Sequence, residues 1–372
     1  MCYSIPGRVK GFDGKFVFVD YFGEEKKAIN EFHDLKIGDY IFAQGGFVIS
    51  KVPEKEAHAT LESWKEIFFE LQKIDLKNVI FSPWHATRFT RIRDLTNHVL
   101  AGGRLTREDK QYLLNIQDAG EMECLLSAAN YLRQNHHKNS CCVHGIIEIS
   151  NDCARNCYYC GISSWNKKLS RYRMSKEEVL AAARSAVKTH GFKALVLQSG
   201  ESLGYSLEAL VEIVTAIKKE LDVLIFISFG EIGFDGLKRL YTAGARGLLL
   251  RFETSNPKIY EKLHPGYSLK KRIAEIKHAN NLGYLIITGS LVGLPGQTSD
   301  DIVADLELAE TLNVEMLSMG PFLAHPQTPL AREENPTVKD LMRVLAVARF
   351  SLLPHVKILV TTGLETLSLE AR

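Results

Sequence analysis

The chain has 372 residues, 45% of them hydrophobic, and carries 46 Lys+Arg against 44 Asp+Glu, a formal charge of +2. That length supports one large domain and a small one, and the near-neutral balance leaves no broad basic field, so nucleic acid is excluded as a main partner. No apolar run is long enough for a membrane span and the first residues lack the order of a signal peptide. A cytoplasmic protein is therefore expected, with its seven cysteines serving as ligands, catalytic groups or buried thiols rather than disulfides.

In chain order, the first fifty residues read as short strands: Gly7 to Phe12, a turn at Asp13-Gly14, then Lys15 to Asp20, Ile37 to Phe42 and Gly46 to Ile49. Aromatic and β-branched residues fill them, and a small β-barrel is expected. After Pro53, residues Ala57, Leu61, Trp64, Phe68 and Leu71 recur at helical spacing. Residues 76–91 read as a connector, followed by helical stretches at 91–101 and 106–136. Strand and helix patterns then alternate, with strands expected at 145–150, 193–198, 223–229, 247–251, 285–292, 316–320 and 357–361. Between them, Ser175 and Glu178 form a capping box for a helix that ends before Gly191, and another helix runs from Thr298 to Leu312. The expected organisation is a small β-barrel with a C-terminal helix over 1–75, a linker over 76–91, and an α/β domain of TIM type, a (β/α) barrel, over 92–372. Seven strands leave that barrel partial, or truncated after the seventh.

Directly after the strand 145–150 comes Cys153-Ala154-Arg155-Asn156-Cys157-Tyr158-Tyr159-Cys160. The loop after a strand of a parallel barrel is the catalytic end. Three closely spaced thiolates suit three irons of a [4Fe–4S] cubane, and the missing fourth cysteine leaves one iron open to a ligand such as S-adenosylmethionine (SAM), through its amino and carboxylate groups. A structural zinc site would need a second half-site, and none has the required spacing. Cys124, Cys141 and Cys142 are expected to be buried thiols. The run Lys167, Lys168, Arg171, Arg173 reads as a solvated face, with docking of an acidic electron donor as the sharper alternative.

Residues from about 92 onward resemble the radical SAM maturases of [FeFe] hydrogenase, the HydE family. The resemblance rests on Ile147-Glu148-Ile149-Ser150-Asn151, Tyr159-Cys160-Gly161, Arg171-Tyr172-Arg173-Met174-Ser175, Gln198-Ser199-Gly200-Glu201, Ser228-Phe229-Gly230-Glu231, Leu250-Arg251-Phe252-Glu253-Thr254, Gly293-Leu294-Pro295-Gly296 and Gly320-Pro321-Phe322 with His325-Pro326. Biotin synthase and methylornithine synthase look like nearer relatives than other radical SAM enzymes. The resemblance implies a cluster on Cys153, Cys157 and Cys160. It also implies SAM contacts from Tyr159, Gln198, Ser199, Gly200, Glu201, Glu231 and Arg251, and from the turn at Gly293 and Pro295. The residues alone leave blander readings open. Glu201 could be a solvated strand end, Arg251 a structural partner of Glu231 or Glu253, and Gly293 to Gly296 a plain turn. His325, Thr361 and Thr362 are substrate-side candidates, although His325 would also suit a surface turn.

The first seventy residues resemble a second family, the HypC/HupF chaperones of [NiFe] hydrogenase assembly, through Met1-Cys2, Ile5-Pro6-Gly7, Val19-Asp20, Gly38-Asp39-Tyr40 and Gly46-Phe47. That likeness implies an iron-fragment ligand at Cys2, but Gln44 stands where a histidine usually assists. Together the two halves imply reductive SAM cleavage in hydrogenase metallocofactor maturation. The implied partners are a small-molecule or organometallic substrate, a low-potential donor of ferredoxin or flavodoxin type and other hydrogenase assembly proteins. A radical SAM enzyme acting on an amino acid or cofactor precursor, and a non-catalytic iron carrier or scaffold, are the competing expectations.

Overall fold

The computed structural model describes residues 3, 5–31, 33–78, 89–138, 140, 142–201, 204–359 and 361–368. Asp13-Gly14 reverses the chain as expected: β1 (Gly7–Asp13) pairs antiparallel with β2 (Phe16–Tyr21). A third strand, β3 (Glu24–Ile29), escaped the sequence reading. Its outward positions carry Glu25 and Lys27, and its fully buried ones are Glu24 and Ala28, so no apolar alternation is visible. Glu24 is tolerated inside because the Tyr3 hydroxyl donates to it. Next come β4 (Tyr40–Gln44) and β5 (Phe47–Val52), joined by Gly45-Gly46. Both glycines have positive φ, +58° and +85°, as a tight hairpin turn of this hand requires. The order β1-β2-β3-β5-β4 closes into a barrel around Val9, Val17, Val19, Tyr21 and Ile41. Helix α1 (Glu54–Asn78) starts after Pro53 and runs past the expected end at 75 into the expected linker. Residues 79–88 of that linker lie outside the described residues, as does Cys2.

Helix α2 (Thr90–Leu100) lies where a helix was expected. The stretch 106–136 is two helices, α3 (Arg107–Leu114) and α4 (Ala119–His137). The break has a local cause. Thr106 and Asp109 cap α3 reciprocally, while the Asp118 carboxylate accepts from Glu121 N and starts a new helix.

Beyond α4 the chain alternates. The units are β6 (Gly145–Ser150), α5 (Lys176–Arg184), β7 (Ala194–Ser199), α6 (Leu207–Glu220), β8 (Leu224–Ser228), α7 (Gly233–Ala243), β9 (Gly247–Leu249), α8 (Pro257–Leu263), α9 (Leu269–Leu282) and β10 (Leu285–Thr288). They continue with β11 (Leu291–Val292), α10 (Ser299–Thr311), β12 (Met316–Ser318), β13 (Gly320–Pro321), α11 (Val338–Ser351), β14 (Lys357–Leu359) and α12 (Thr362–Leu367). Strands β6, β7, β8, β9, β10, β12 and β14 make one seven-stranded parallel sheet in that order, the partial barrel expected. Two expected strands split, 285–292 into β10 and β11 and 316–320 into β12 and β13. The chain kinks at Gly289, where any Cβ would lie 2.1 Å from Ser318 O, and β11 then pairs with β13 as a separate two-stranded sheet.

The two faces of the parallel sheet have different partners. Leu195, Leu197, Ile225 and Ile227 point outward to the helices. Ala194, Val196, Leu224, Phe226, Ile287 and Met316 point inward and cluster with Phe47 and Ile49 of the small barrel. The β4–β5 hairpin is therefore seated in the amino-terminal mouth of the large sheet. Its rim is polar: Arg246 Nε pairs with Glu31 at 2.9 Å and Lys193 Nζ stands 4.2 Å from the Phe42 ring centre. The small barrel thus caps the mouth at which the strands begin and leaves their carboxyl ends free for a site. Cys124 is a free thiol, as expected, pushed up to about 11 by burial. Cys142 corrects the expectation. It is disulfide-bonded rather than a free thiol.

Gly45 is where the fit is tightest, since a Cβ there would lie 2.8 Å from Leu224 Cδ2 and 3.0 Å from Leu285 Cδ1. Gly45→Val is expected to cost about 1–3 kcal/mol through overpacking and positive-φ strain. Urea titration measures the loss, and hydrogen exchange should locate the loosening at Leu224 to Phe226 and Leu285 to Ile287.

Candidate active site at the carboxyl ends of the strands

Where β6 ends, the chain leaves the sheet as an irregular loop carrying Cys153, Cys157 and Cys160, all free and half-buried. Burial first, and then the neighbouring Cys160 and Cys153 sulfurs, push the Cys157 thiol up to about 12; burial likewise raises Cys160. Burial and repulsion of this kind disfavour the thiolates until a metal compensates their charge. Among the described residues no three His, Cys or acidic side chains converge on one ion position. This donor set suits a cubane, which takes one thiolate per iron, better than a mononuclear zinc site.

Backbone packing sets the loop against β7. Ala154 N donates to Glu201 O at 2.7 Å, and a Cβ on Gly200 would lie 2.5 Å from Asp152 O and 2.6 Å from Cys153 Cβ. Only glycine permits that approach.

Two braces hold the loop from either side. On one, Arg171 Nη1 donates to Asn151 O at 2.6 Å and to Ile162 O at 2.7 Å, and Nη2 to Ser163 O at 2.8 Å and Asn166 O at 3.3 Å. One guanidinium thereby ties the start of the cysteine loop to the segment that follows it. This corrects the reading of residues 167–173 as a solvated face. Arg171 is half-buried and structural, because its planar fork can satisfy carbonyls that the irregular loop cannot pair internally. Arg173 pairs with Asp152 at 3.2 Å, and of the four only Lys167 and Lys168 are solvated cations without a partner among the described residues.

On the other side Tyr158 N donates to Leu263 O, and the Tyr159 hydroxyl lies 2.9 Å from His264 Nε2. His264 is fully buried and stacks on Tyr260, whose carbonyl faces Nδ1 at 3.0 Å. That carbonyl can only accept, so Nδ1 carries the proton and Nε2 accepts from Tyr159. Burial, then Arg272, push His264 down to about 3, and the imidazole is neutral at physiological pH.

Beside the loop lies a knot of charges. Glu201 Oε2 sits 2.6 Å from Arg155 Nε and accepts from Glu231 N at 2.8 Å; Glu231 Oε1 sits 2.8 Å from Arg155 Nη2 and 2.9 Å from Arg272 Nε. Arg155 also stacks on Tyr267, 3.6 Å from its ring centre. The Glu231 side chain is only 2% exposed, so in this state it balances two guanidiniums, whereas Glu201 keeps Oε1 clear of these contacts. Arg251 pairs with Glu253 at 3.2 Å and donates to Ser290 O at 2.7 Å.

The remaining expected residues fall as follows. Gln198 faces inward to Glu148, 3.4 Å away, and the Ser199 hydroxyl donates to Gly200 O. Gly293 and Pro295 lie in a turn held by Gln297 Oε1, which accepts from Gly293 N and Leu294 N. His325 rests on the cysteine loop, 3.0 Å from where a Gly161 Cβ would be, and its Nδ1 accepts from Gln327 N. The Thr361 hydroxyl is buried against Gly320 without a hydrogen-bond partner among the described residues, and Thr362 opens α12. Sequence reasoning missed Arg155, Arg272 and His264. Arg155 was in plain view inside the cysteine motif. His264 and Arg272 carry no local pattern, because their partners lie far away in sequence.

A hydrogen bond from a charged donor contributes about 1.5–3 kcal/mol. Arg171→Ala is therefore expected to speed amide exchange at residues 151–166 of the metal-free protein by roughly 100-fold, and Arg171→Lys, lacking the fork, to recover little of it. His264 makes a pH prediction. Its folded value of about 3 lies below the unfolded value of about 6.5, so between them the unfolded chain binds the extra proton. Stability should be flat from this group above pH 6.5 and fall by up to about 1.4 kcal/mol per pH unit below it. Urea titrations at several pH values should show His264→Gln losing that share of the slope.

Comparison with known proteins agrees with this geometry. Residues 147–309 match the radical SAM superfamily and residues 1–64 the HupF/HypC family. The [FeFe] hydrogenase maturase subunit HydE of Thermotoga maritima is 40% identical over 262 residues, covering 70% of this chain and 74% of the relative. The 3-methylornithine synthase of Methanosarcina acetivorans is 30% identical over 254 residues, 68% of this chain and 71% of the relative. The crystal structure of methylornithine synthase (PylB) superposes with a TM-score of 0.65 at 27% identity, covering 74% of this chain and 83% of that one. With its three-cysteine loop at the mouth of a partial barrel, the chain belongs to the radical SAM enzymes as a HydE-like member carrying an N-terminal HupF/HypC domain.

Proposed function

We propose that Cys153, Cys157 and Cys160 hold a [4Fe–4S] cluster and that the enzyme cleaves SAM reductively during maturation of a hydrogenase metallocofactor. The observation that carries the first part is the loop itself: three free thiols, braced on both sides, beside carboxylates and guanidiniums at the carboxyl ends of the strands. When bound, the cluster supplies one electron to break a C–S bond of SAM. The chain's own residues do the rest. Glu201 Oε1 is placed to accept from an ammonium, and Arg155 and Arg272 pair with Glu201 and Glu231 in the ligand-free chain. Gly200 gives a ligand access to the backbone. Arg251 offers a guanidinium beside Glu253.

The maturation role is supported by both halves at once, since the similarity to HydE over the barrel and to the HupF/HypC family at the N-terminus point to hydrogenase assembly. In the N-terminal domain Gln44 is buried and its amide lies 3.5 Å from Val143 O, turned to the start of the large sheet. The likeness to methylornithine synthase favours one second reading, a radical SAM enzyme acting on an amino acid.

Anaerobic reconstitution with iron and sulfide, followed by SAM and dithionite, is expected to yield 5′-deoxyadenosine, and Cys157→Ala to abolish it. A loaded cluster that forms none ends the enzymatic reading. A carrier or scaffold predicts instead that Cys157→Ala leaves function intact. Adding the chain to a cell-free hydrogenase maturation mixture lacking HydE should restore hydrogen evolution. Deoxyadenosine without that restoration would favour the amino-acid reading.

A further inference from the structure

The charge run at 167–173 is only partly absorbed by the site. Arg171 and Arg173 are committed within the fold. Lys167 and Lys168 are exposed and have no partner among the described residues, and the segment from Gly161 to Met174 contains no acidic residue. Between these lysines and the cysteine loop stands Trp165. It is 50% exposed, unusual for so large an apolar side chain, and its ring meets Tyr158 edge-on at 5.9 Å. Its indole N–H donates to Asn156 O at 3.0 Å. That carbonyl belongs to the peptide bond into Cys157, so a short path of one hydrogen bond and the Cys157 backbone joins a surface aromatic ring to a cluster ligand.

We propose that Trp165, Lys167 and Lys168 form the face on which an acidic one-electron carrier protein docks to reduce the cluster. The inference rests on the function proposed above, because only a redox cluster at Cys157 needs such a face. In the docked complex one electron passes from the reduced carrier to the cluster, the carrier is oxidised by one electron, and no atom is transferred. The partner is acidic because the only uncommitted charges here are positive, and like charges suppress wrong partners. Trp165 supplies an exposed aromatic of the kind enriched at interfaces, and the two lysines supply a polar, charged rim. Lys167 and Lys168 contact neither cysteines nor carboxylates of the site, so reversing them should leave the cluster alone.

The test compares reductants on the full-length reconstituted protein. Initial rates of deoxyadenosine formation are measured with dithionite and with a reduced, strongly acidic [2Fe–2S] ferredoxin across a range of salt. Binding of oxidised ferredoxin is measured separately by calorimetry, and carbodiimide cross-links are mapped by mass spectrometry. The parent chain should lose ferredoxin-driven rate as salt rises. The Lys167→Glu/Lys168→Glu variant should bind ferredoxin and turn over with it about tenfold more weakly at low salt, converging on the parent at high salt, with its dithionite-driven rate unchanged. Cross-links should fall on Lys167 and Lys168 in the parent. Trp165→Leu should lower the ferredoxin-driven rate more than the binding affinity. Unchanged ferredoxin binding and rate in the charge-reversed variant would overturn the proposal. So would an equal loss with dithionite, or cross-links confined to other lysines, or a parent chain that dithionite drives and ferredoxin does not. Absence of deoxyadenosine from the parent with dithionite would instead defeat the enzymatic reading itself.

Discussion

Three thiols on one irregular loop repel a shared negative charge and have no regular secondary structure to hold them. The loop's carbonyls and amides must still find partners, because an unpaired buried backbone group costs as much as a lost hydrogen bond. This constraint organises the site. Arg171 serves four carbonyls with one planar group, Leu263 O takes the Tyr158 amide, Glu201 O takes the Ala154 amide, and His264 takes the Tyr159 hydroxyl. Glu201 follows β7, Leu263 and His264 end α8 and Arg171 follows the loop, so the loop's shape is inherited from the barrel. A lysine in place of Arg171, or a charged histidine in place of neutral His264, would not serve, since one lacks the fork and the other the acceptor.

The same loop reaches the carboxylates of Glu201 and Glu231 through Arg155. This guanidinium lies between Cys153 and Cys157 in sequence and between Glu201 and Glu231 in space, with Tyr267 beneath it. Burying two carboxylates is tolerated because Arg155 and Arg272 face them directly. Loop and carboxylates are therefore one ionic unit, already assembled in the free chain. At the opposite end, apolar packing of Phe47 and Ile49 fills the amino-terminal mouth. The barrel interior is thus apolar where the small barrel sits and polar where Gln198, Arg251 and Thr361 stand.

The alternating architecture, the small barrel and the three-cysteine loop were legible in sequence because each depends on local pattern: period-two strands, capping residues, cysteines at fixed spacing. What was illegible depends on distant partners. Strand β3 hid because its buried positions are Glu24 and Ala28, and Glu24 makes sense only beside Tyr3. The helix expected at 106–136 was broken by a cap at Asp118 inside a pattern that otherwise continues. The sequence likewise shows Arg171 and Lys168 as equivalent charges, and only the carbonyls gathered around Arg171 separate the brace from the solvated pair.

That separation bears on how one short segment does two jobs. Residues from Gly161 to Tyr172 satisfy the cysteine loop with Arg171, Asn166 and the Trp165 indole N–H, and those groups are therefore unavailable to a partner. The side chains left over are the outer face of Trp165 and the ammonium groups of Lys167 and Lys168. Internal pairing thus selects which charges stay in solvent, and it leaves them two and three residues from the exposed Trp165 ring that is hydrogen-bonded to the loop. A brace built from acidic or apolar residues could hold the thiols equally well, but it would repel an anionic carrier or fail to orient it. Support and outward recognition can share this segment because the guanidinium forks take the carbonyls while the compact, strongly hydrated ammonium groups stay in water.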